Sequence, residues 1–219
     1  MKKIINYIRP KYLILLGYLG SKLGSRVGKR HVYKNYNKYI EFQKEKSTDP
    51  EKVKKWLNEE WLIKLNGFNE IFERNHMWLK GKKNALCLGS RTGQEVKALM
   101  DMGINSIGID IVPFPPYTVE GDIHNLDYKS AEFDLIFTNV FDHSLHPEVF
   151  CAEMERVCKP GGIIIIHLQL WTFGDNYTET VIYNSKSVVD MFKTIIVKDD
   201  KQISNAHDSM DWELVLDKL

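Results

Sequence analysis

The stretch Asn84-Ala85-Leu86-Cys87-Leu88-Gly89-Ser90-Arg91-Thr92-Gly93-Gln94 decides how this chain is read. Ala85 to Leu88 is a short continuous apolar run, the pattern of a strand buried on both faces. Gly89 and Gly93 let the backbone turn tightly and approach a ligand without a Cβ in the way. Gly93 leads into a helix predicted from Gln94 to about Met102 and ended by Gly103. Ser106 to Ile111 predicts the next strand, with Asp110 near its end and 21 residues beyond Gly89.

Outward from this unit the alternation continues. Phe133 to Asn139 reads as a strand, and Pro147 opens a helix carrying Phe150, Met154 and Val157. Lys159-Pro160-Gly161-Gly162 then turns into Ile163 to His167, a β-branched run suited to a central strand. A short helix near Ser187 to Phe192 precedes a closing strand pair, Thr194 to Val197 and Trp212 to Leu216. Short strands alternating with helices predict a three-layer, Rossmann-like α/β fold: a mostly parallel sheet with helices on both faces and an antiparallel C-terminal pair.

Before Asn84 the pattern is helical. Asp49 ahead of Pro50 marks a helix start, since a carboxylate accepts from free amides and proline tolerates the first turn. Val53, Trp56, Leu57, Trp61 and Leu65 follow helical spacing up to Asn66-Gly67, the expected stop. A second stripe at Phe68, Ile71, Phe72 and Leu79 runs to Lys80-Gly81. Trp56, Trp61 and Trp78, aromatics at helical spacing, read as core. The expected layout is a basic arm over 1–48, a helical extension over 49–82 and the α/β domain over 83–219.

The chain has 219 residues, 43% hydrophobic and 27% charged, enough for one full globular domain plus an appendage. Cys87, Cys151 and Cys158 form no CxxC or Cys/His pattern, and their odd number argues against a disulfide framework; the expectation is a reducing, cytoplasmic setting and no metal. The net charge of +1 conceals ten Lys/Arg and no acid within residues 1–40, so the rest sums to −9. The apolar run from Tyr12 to Leu16 is far shorter than the roughly 20 residues a membrane span needs. It is interrupted by Tyr and Gly with no small-residue cleavage site after it, unlike a signal peptide. Lys22, Arg26, Lys29, Arg30, Lys34 and Lys38, interleaved with Tyr33, Tyr36 and Tyr39, suit an anionic membrane surface, an RNA or an acidic partner. A solvated basic arm is the plainer reading.

In open α/β sheets a ligand sits at the carboxyl ends of the strands, where turns and helix starts leave amides facing outward. Two glycines alone serve any tight turn. Asp110, at the end of the next strand, adds an acid able to accept both hydroxyls of a ribose, and the pair points to a nucleoside cofactor.

Over residues 84–217 the sequence resembles the class I S-adenosylmethionine-dependent methyltransferases, in particular the type 11 methyltransferase domain. Ala85-Leu86-Cys87-Leu88-Gly89-Ser90-Arg91-Thr92-Gly93 is similar to the motif that wraps the methionine part of the cofactor, and Gly108-Ile109-Asp110 to the ribose-binding acid. Gly121-Asp122-Ile123 resembles the adenine-side motif, and Phe133-Asp134-Leu135-Ile136 through Asn139 the fourth strand beside the methyl group. Glu153 through Arg156-Val157 to Lys159-Pro160-Gly161-Gly162 resembles the "E..RVLKPGG" segment. The resemblance implies a methyltransferase that uses S-adenosylmethionine and acts on an unidentified acceptor. It implies a cofactor site of Gly89, Ser90, Arg91, Gly93, Asp110, Ile111, Asp122, Ile123, His124 and Asn139. Three departures stand out. Cys87 occupies the position of an acid that fixes the cofactor's amine in many members, and Arg91 replaces the middle glycine of the turn. Pro113-Phe114-Pro115-Pro116 leaves five residues between Ile111 and Tyr117, where a parallel crossover needs about a dozen, so the intervening helix and third strand are expected to be degraded.

Methyl transfer from a sulfonium is an in-line displacement for which positioning supplies much of the rate, so no protein nucleophile is required. For an oxygen or nitrogen acceptor a general base helps. Asp142 and His143, just past the fourth strand, are the right residue types, with His146 and His167 behind them. Asp142 as a turn cap and His143 as a packing residue are the structural alternatives. A nicotinamide-dependent oxidoreductase would share the strand, turn and acid but lacks the third glycine of G-x-G-x-x-G. A cofactor-binding module without catalysis is the other alternative.

Overall fold

The computed structural model, which describes residues 27–29, 31–170, 176–204 and 210–219, begins with a three-residue strand, β1 (Val27–Lys29). Helices α1 (Tyr36–Thr48), α2 (Pro50–Lys54, continuing into a π turn over Lys55–Glu59), α3 (Trp61–Arg74) and α4 (His76–Leu79) follow. The alternating part is β2 (Asn84–Leu88), α5 (Gln94–Asp101), β3 (Asn105–Asp110), β4 (Thr118–Glu120) and β5 (Phe133–Thr138). It continues through α6 (Pro147–Val157), β6 (Cys158–Leu168), β7 (Thr180–Ile182), α7 (Ser185–Val189), β8 (Ile195–Gln202) and β9 (Trp212–Lys218). Seven strands pair in the order β4-β3-β2-β5-β6-β9-β8. The first five are parallel and the last two pairings antiparallel. This is the Rossmann-like sheet expected from the sequence, with the expected closing pair.

Period-two alternation along the strands divides the core. Leu86, Leu88, Ile136, Ile164 and Ile166 face α6 and α7, meeting Phe150, Met154, Val157 and Val188. Ala85, Cys87, Leu135, Phe137, Ile163 and Ile165 face the other layer, meeting Phe68, Ile71 and Phe72 of α3 and Val96, Ala98 and Leu99 of α5. Each such Leu, Ile or Phe contributes roughly 1.5–3 kcal/mol by leaving water. Arg156 ties the far end of the domain together. It bonds Glu153 at 2.7 Å and donates to the carbonyls of Leu126 and Tyr128, while Glu153 accepts from the Leu126 amide. The "E..RV" motif is thus a clamp on the loop after Asp122.

Four details differ from expectation. Helix α3 runs straight through Asn66-Gly67 and stops at Asn75. A mid-helix glycine costs about 1 kcal/mol, and burial of Phe68, Ile71 and Phe72 on the same helix outweighs it. The third strand survives as β4, with Gly108, Ile109 and Asp110 aligned to Thr118, Val119 and Glu120, although no helix precedes it. The short crossover is held by the Thr118 hydroxyl, which accepts from the Phe114 amide at 2.7 Å and donates to the Arg91 carbonyl at 2.9 Å. Of the three tryptophans expected in the core, Trp56 is buried, Trp61 is half-buried and stacks on Tyr117 at 5.7 Å, and Trp78 packs half-buried at the edge of the core. Finally, the basic arm is not wholly solvated. β1 pairs antiparallel with β7, and α1 lies on the α/β domain, capped by Asn35.

The tyrosines of that arm turn inward. The Tyr33 hydroxyl donates to Glu179, Tyr36 to Asp122, and Tyr39 to the His143 carbonyl at 2.9 Å. The apolar run Tyr12 to Leu16, Lys22, Arg26 and Arg30 lie outside the described residues. No helix among those described is long and apolar enough to cross a membrane, and no group of His, Cys, Asp and Glu among them could hold a metal ion.

Candidate functional site

The turn after β2 is built as its glycines require. Gly89 adopts φ +75°, and a Cβ there would lie 2.2 Å from Val140 Cγ2; Gly93, at φ +81°, would meet Tyr117 Cβ at 2.4 Å. Arg91 between them takes φ 40°. Asp110 fixes the loop: its carboxylate accepts from the Arg91 amide and from the Val112 amide, both at 2.9 Å. Burial raises the Asp110 carboxyl above its ordinary value, while these amides and the Arg91 guanidinium pull the other way.

Two connected lobes open at the carboxyl ends of β2, β3 and β5. The outer lobe, about 270 Å³, is lined by the Gly89 to Thr92 loop, Gln94 and Glu95 of α5, Asn139, and the α3 face bearing Phe68 and Ile71. The inner lobe, about 60 Å³, lies beneath α1 and is lined by Asp110, Ile111, Asp122, Ile123 and by Tyr39 and Gln43 of the helix. Gly89, Arg91, Val140 and His143 border both. The Arg91 guanidinium stacks over the Trp56 ring at 4.1 Å, which is what this tryptophan does besides packing.

Most of the residues singled out in the sequence therefore converge; Gly93 shapes the turn without lining either lobe, and His124 and Asp142 lie elsewhere. His124 is buried behind the inner lobe: its Nε2 accepts from the His146 amide at 3.3 Å and meets Ser144 Oγ at 2.8 Å. That leaves Nδ1–H to face Asp122 and Tyr36. Asp142 borders neither lobe. Its carboxylate accepts from the Thr178 hydroxyl at 2.9 Å and its carbonyl from the Glu179 amide, so it anchors the loop before β7 and forms no dyad with His143. His143 does face both lobes. Its Nδ1 donates to the Tyr177 carbonyl at 2.8 Å, which leaves the Nε2 lone pair directed toward Lys46 Nζ, 3.5 Å away. His146 is exposed and stacks on Tyr36, and His167 is buried against Glu213.

Asp122 is already engaged. Both carboxylate oxygens accept from the Tyr36 hydroxyl, at 2.8 and 2.7 Å, and Oδ1 also accepts from the His124 amide at 2.8 Å. Burial raises its carboxyl, but the His124 and Tyr36 bonds outweigh this and hold it below the usual range. Sequence reasoning missed the α1 side of this lobe, because nothing local links Tyr36 to a carboxylate 86 residues away. It also passed over Gln94 and Glu95, whose signal was an acid in the first turn after the glycine loop.

Residues 86–166 match the model of the family described as methyltransferase domain. The type 11 domain expected from the motifs is the one matched, over these residues. Among solved structures, the Burkholderia thailandensis 1,6-didemethyltoxoflavin-N1-methyltransferase, with bound 1,6-didemethyltoxoflavin and S-adenosylhomocysteine, is similar with a TM-score of 0.64 and 12% identity. That match covers 88% of this chain and 94% of the other. A SAM-dependent methyltransferase from Aquifex aeolicus gives a TM-score of 0.56 at 16% identity, covering 78% of this chain and 99% of the other. One from Clostridium acetobutylicum gives 0.55 at 14%, covering 70% and 91%. These likenesses are of fold.

Proposed function

We propose that this S-adenosylmethionine-dependent methyltransferase holds its cofactor across both lobes and methylates an oxygen or nitrogen acceptor that enters the outer lobe beside His143. The ribose would face Asp110, the base Ile111, Asp122 and Ile123, and the amino-acid end the Gly89 to Gly93 turn. The observation that carries this reading is Asp110, which both pins the glycine turn through the Arg91 amide and lines the inner lobe. The donor set fits a polar, zwitterionic ligand. Gln94 is 2% exposed, and its Nε2 has no hydrogen-bond partner among the described residues although it lines the outer lobe. A buried donor without a partner costs about 1–3 kcal/mol unless a ligand completes it.

When bound, the sulfonium supplies an electrophilic methyl group, so the chain's own task is positioning and desolvation. His143 adds a base: with Nδ1–H committed to the Tyr177 carbonyl, its Nε2 can take the proton of an acceptor hydroxyl or amine.

Differential scanning calorimetry with S-adenosylhomocysteine tests the reading. Ligand at a hundredfold its Kd adds about 2.7 kcal/mol, which for a chain of this size is a rise of roughly 5–11 °C in Tm. An unchanged Tm at millimolar ligand overturns it.

A further inference from the structure

Cys87 occupies the strand position at which the resemblance leads one to expect an acid for the cofactor's amine, and it cannot serve. It is wholly buried among Ala85, Val96 and Phe137, and burial together with the nearby Glu95 pushes its thiol well above the ordinary range. A thiol held neutral offers an ammonium almost nothing. Yet the same face of the sheet carries an acid from another element. Glu95, in the first turn of α5, is 4% exposed and lines the outer lobe together with Ser90. Its two neighbours in that wall, Gln94 with its unpartnered Nε2 and Arg91, bring donors. An acceptor flanked by an amide donor and a guanidinium is the set that an α-amino acid zwitterion needs, one side for the ammonium and the other for the carboxylate.

We propose that Glu95 replaces the missing strand acid as the ammonium acceptor, with Gln94 and Arg91 facing the carboxylate, so that the start of α5 recognises the amino-acid end of the cofactor. This rests on the cofactor assignment above and adds to it which residues read that end. The energetics agree. Burial pushes the Glu95 carboxyl up to about 7, against the pull of Ser90 and Arg91. A buried carboxylate kept in a cavity wall at such a cost is one that a cation is suited to stabilise.

Two nucleosides that differ only in this end test it. S-adenosylhomocysteine carries the amino acid, and 5′-methylthioadenosine does not. Isothermal titration of Glu95→Gln should show affinity for S-adenosylhomocysteine reduced about 10–100-fold, the loss of one charged hydrogen bond. Affinity for 5′-methylthioadenosine should stay within about threefold of the parent, a change below 1 kcal/mol, which also shows that the variant is folded. Equal weakening of both ligands, or unchanged binding of S-adenosylhomocysteine, overturns the proposal while leaving the cofactor assignment intact. A parent protein that binds neither nucleoside overturns both.

Discussion

Replacing Asp110 by Asn separates the two duties assigned to that side chain. In the parent, one carboxylate oxygen holds the Arg91 amide and the other the Val112 amide, each at 2.9 Å. An Asn side chain offers a single acceptor, so its NH2 must face one of the two amides, leaving two donors opposed in a buried site. Loss of one hydrogen bond to a charged acceptor costs about 1.5–3 kcal/mol. At about 2–4 °C per kcal/mol for a chain of this size, Tm without ligand should fall by roughly 3–12 °C. The glycine turn loosens at the same time, and the ribose hydroxyls lose their anionic acceptor. The rise in Tm on adding S-adenosylhomocysteine should therefore shrink to less than half that of the parent. Calorimetry with and without ligand reads both numbers on one sample. A variant that melts with the parent and keeps the full ligand response would refute the argument that Asp110 anchors the loop and faces the ribose.

Gly108→Ala tests the packing of the same loop, since a Cβ there would meet Ser90 Cβ at 2.7 Å and Thr118 Cγ2 at 2.9 Å. It should cost about 1–3 kcal/mol and weaken S-adenosylhomocysteine binding, whereas Gly103→Ala, strained at φ +82° but with nothing within 4 Å, should lower Tm and leave binding alone. Glu213 is buried and accepts from Arg74, Asn75 and His167 at 2.8–2.9 Å; burial raises its carboxyl, but these bonds prevail and bring it down to about 2. A lowered carboxyl contributes stability that is complete above the ordinary value of 4.5 and is lost as pH falls toward 2, so the Tm gap between parent and Glu213→Gln should narrow below pH 4.5. A gap of constant width from pH 7 to pH 3 would contradict this. Tyr36→Phe frees Asp122 from the hydroxyl of α1 and should speed association of S-adenosylhomocysteine several-fold in stopped flow; slower association would count against α1 as a cover.

The strands were legible because a buried parallel sheet writes continuous apolar runs, as at Ala85 to Leu88 and Ile163 to His167, bounded by glycines that only a turn explains. Asp110 was legible for a similar reason: its spacing from Gly89 follows from one βαβ unit. Helix α3 was not, since Gly67 carries a local stop signal whose cost is overcome by Phe68, Ile71 and Phe72 packing on a sheet that lies later in the chain. Strand β4 was hidden because the usual crossover length failed, and its substitute, the Thr118 hydroxyl bridging to Arg91, is a tertiary contact. At the site, Asp142 and His143 are adjacent in sequence and of suitable chemistry, yet the turn over Phe141–His143 sends them to different neighbours. Adjacency in sequence carries no information about direction where the chain is turning.

The inner lobe has the further property that it is too small as it stands. About 60 Å³ compares with roughly 300–1,000 Å³ for pockets that enclose small molecules. Three of its walls are fixed. The glycine turn is pinned by Asp110, the segment after Asp122 is clamped by Arg156 and Glu153, and the end of β5 is held by the Thr138 hydroxyl on the Leu88 carbonyl. The fourth wall is α1, which meets the domain through side-chain bonds: Tyr36 to Asp122, Tyr39 to the His143 carbonyl, and Gln43 to the Tyr177 carbonyl and Glu179. The other walls are tied to the ends of the sheet strands by these bonds, whereas α1 is held by side-chain hydrogen bonds worth about 0.5–3 kcal/mol each and by the burial of Tyr39. On the proposed placement of the cofactor, room for the base would come from α1. The Tyr36 bond to Asp122 is the contact that must exchange first, because it joins the helix to an acid that the base would face.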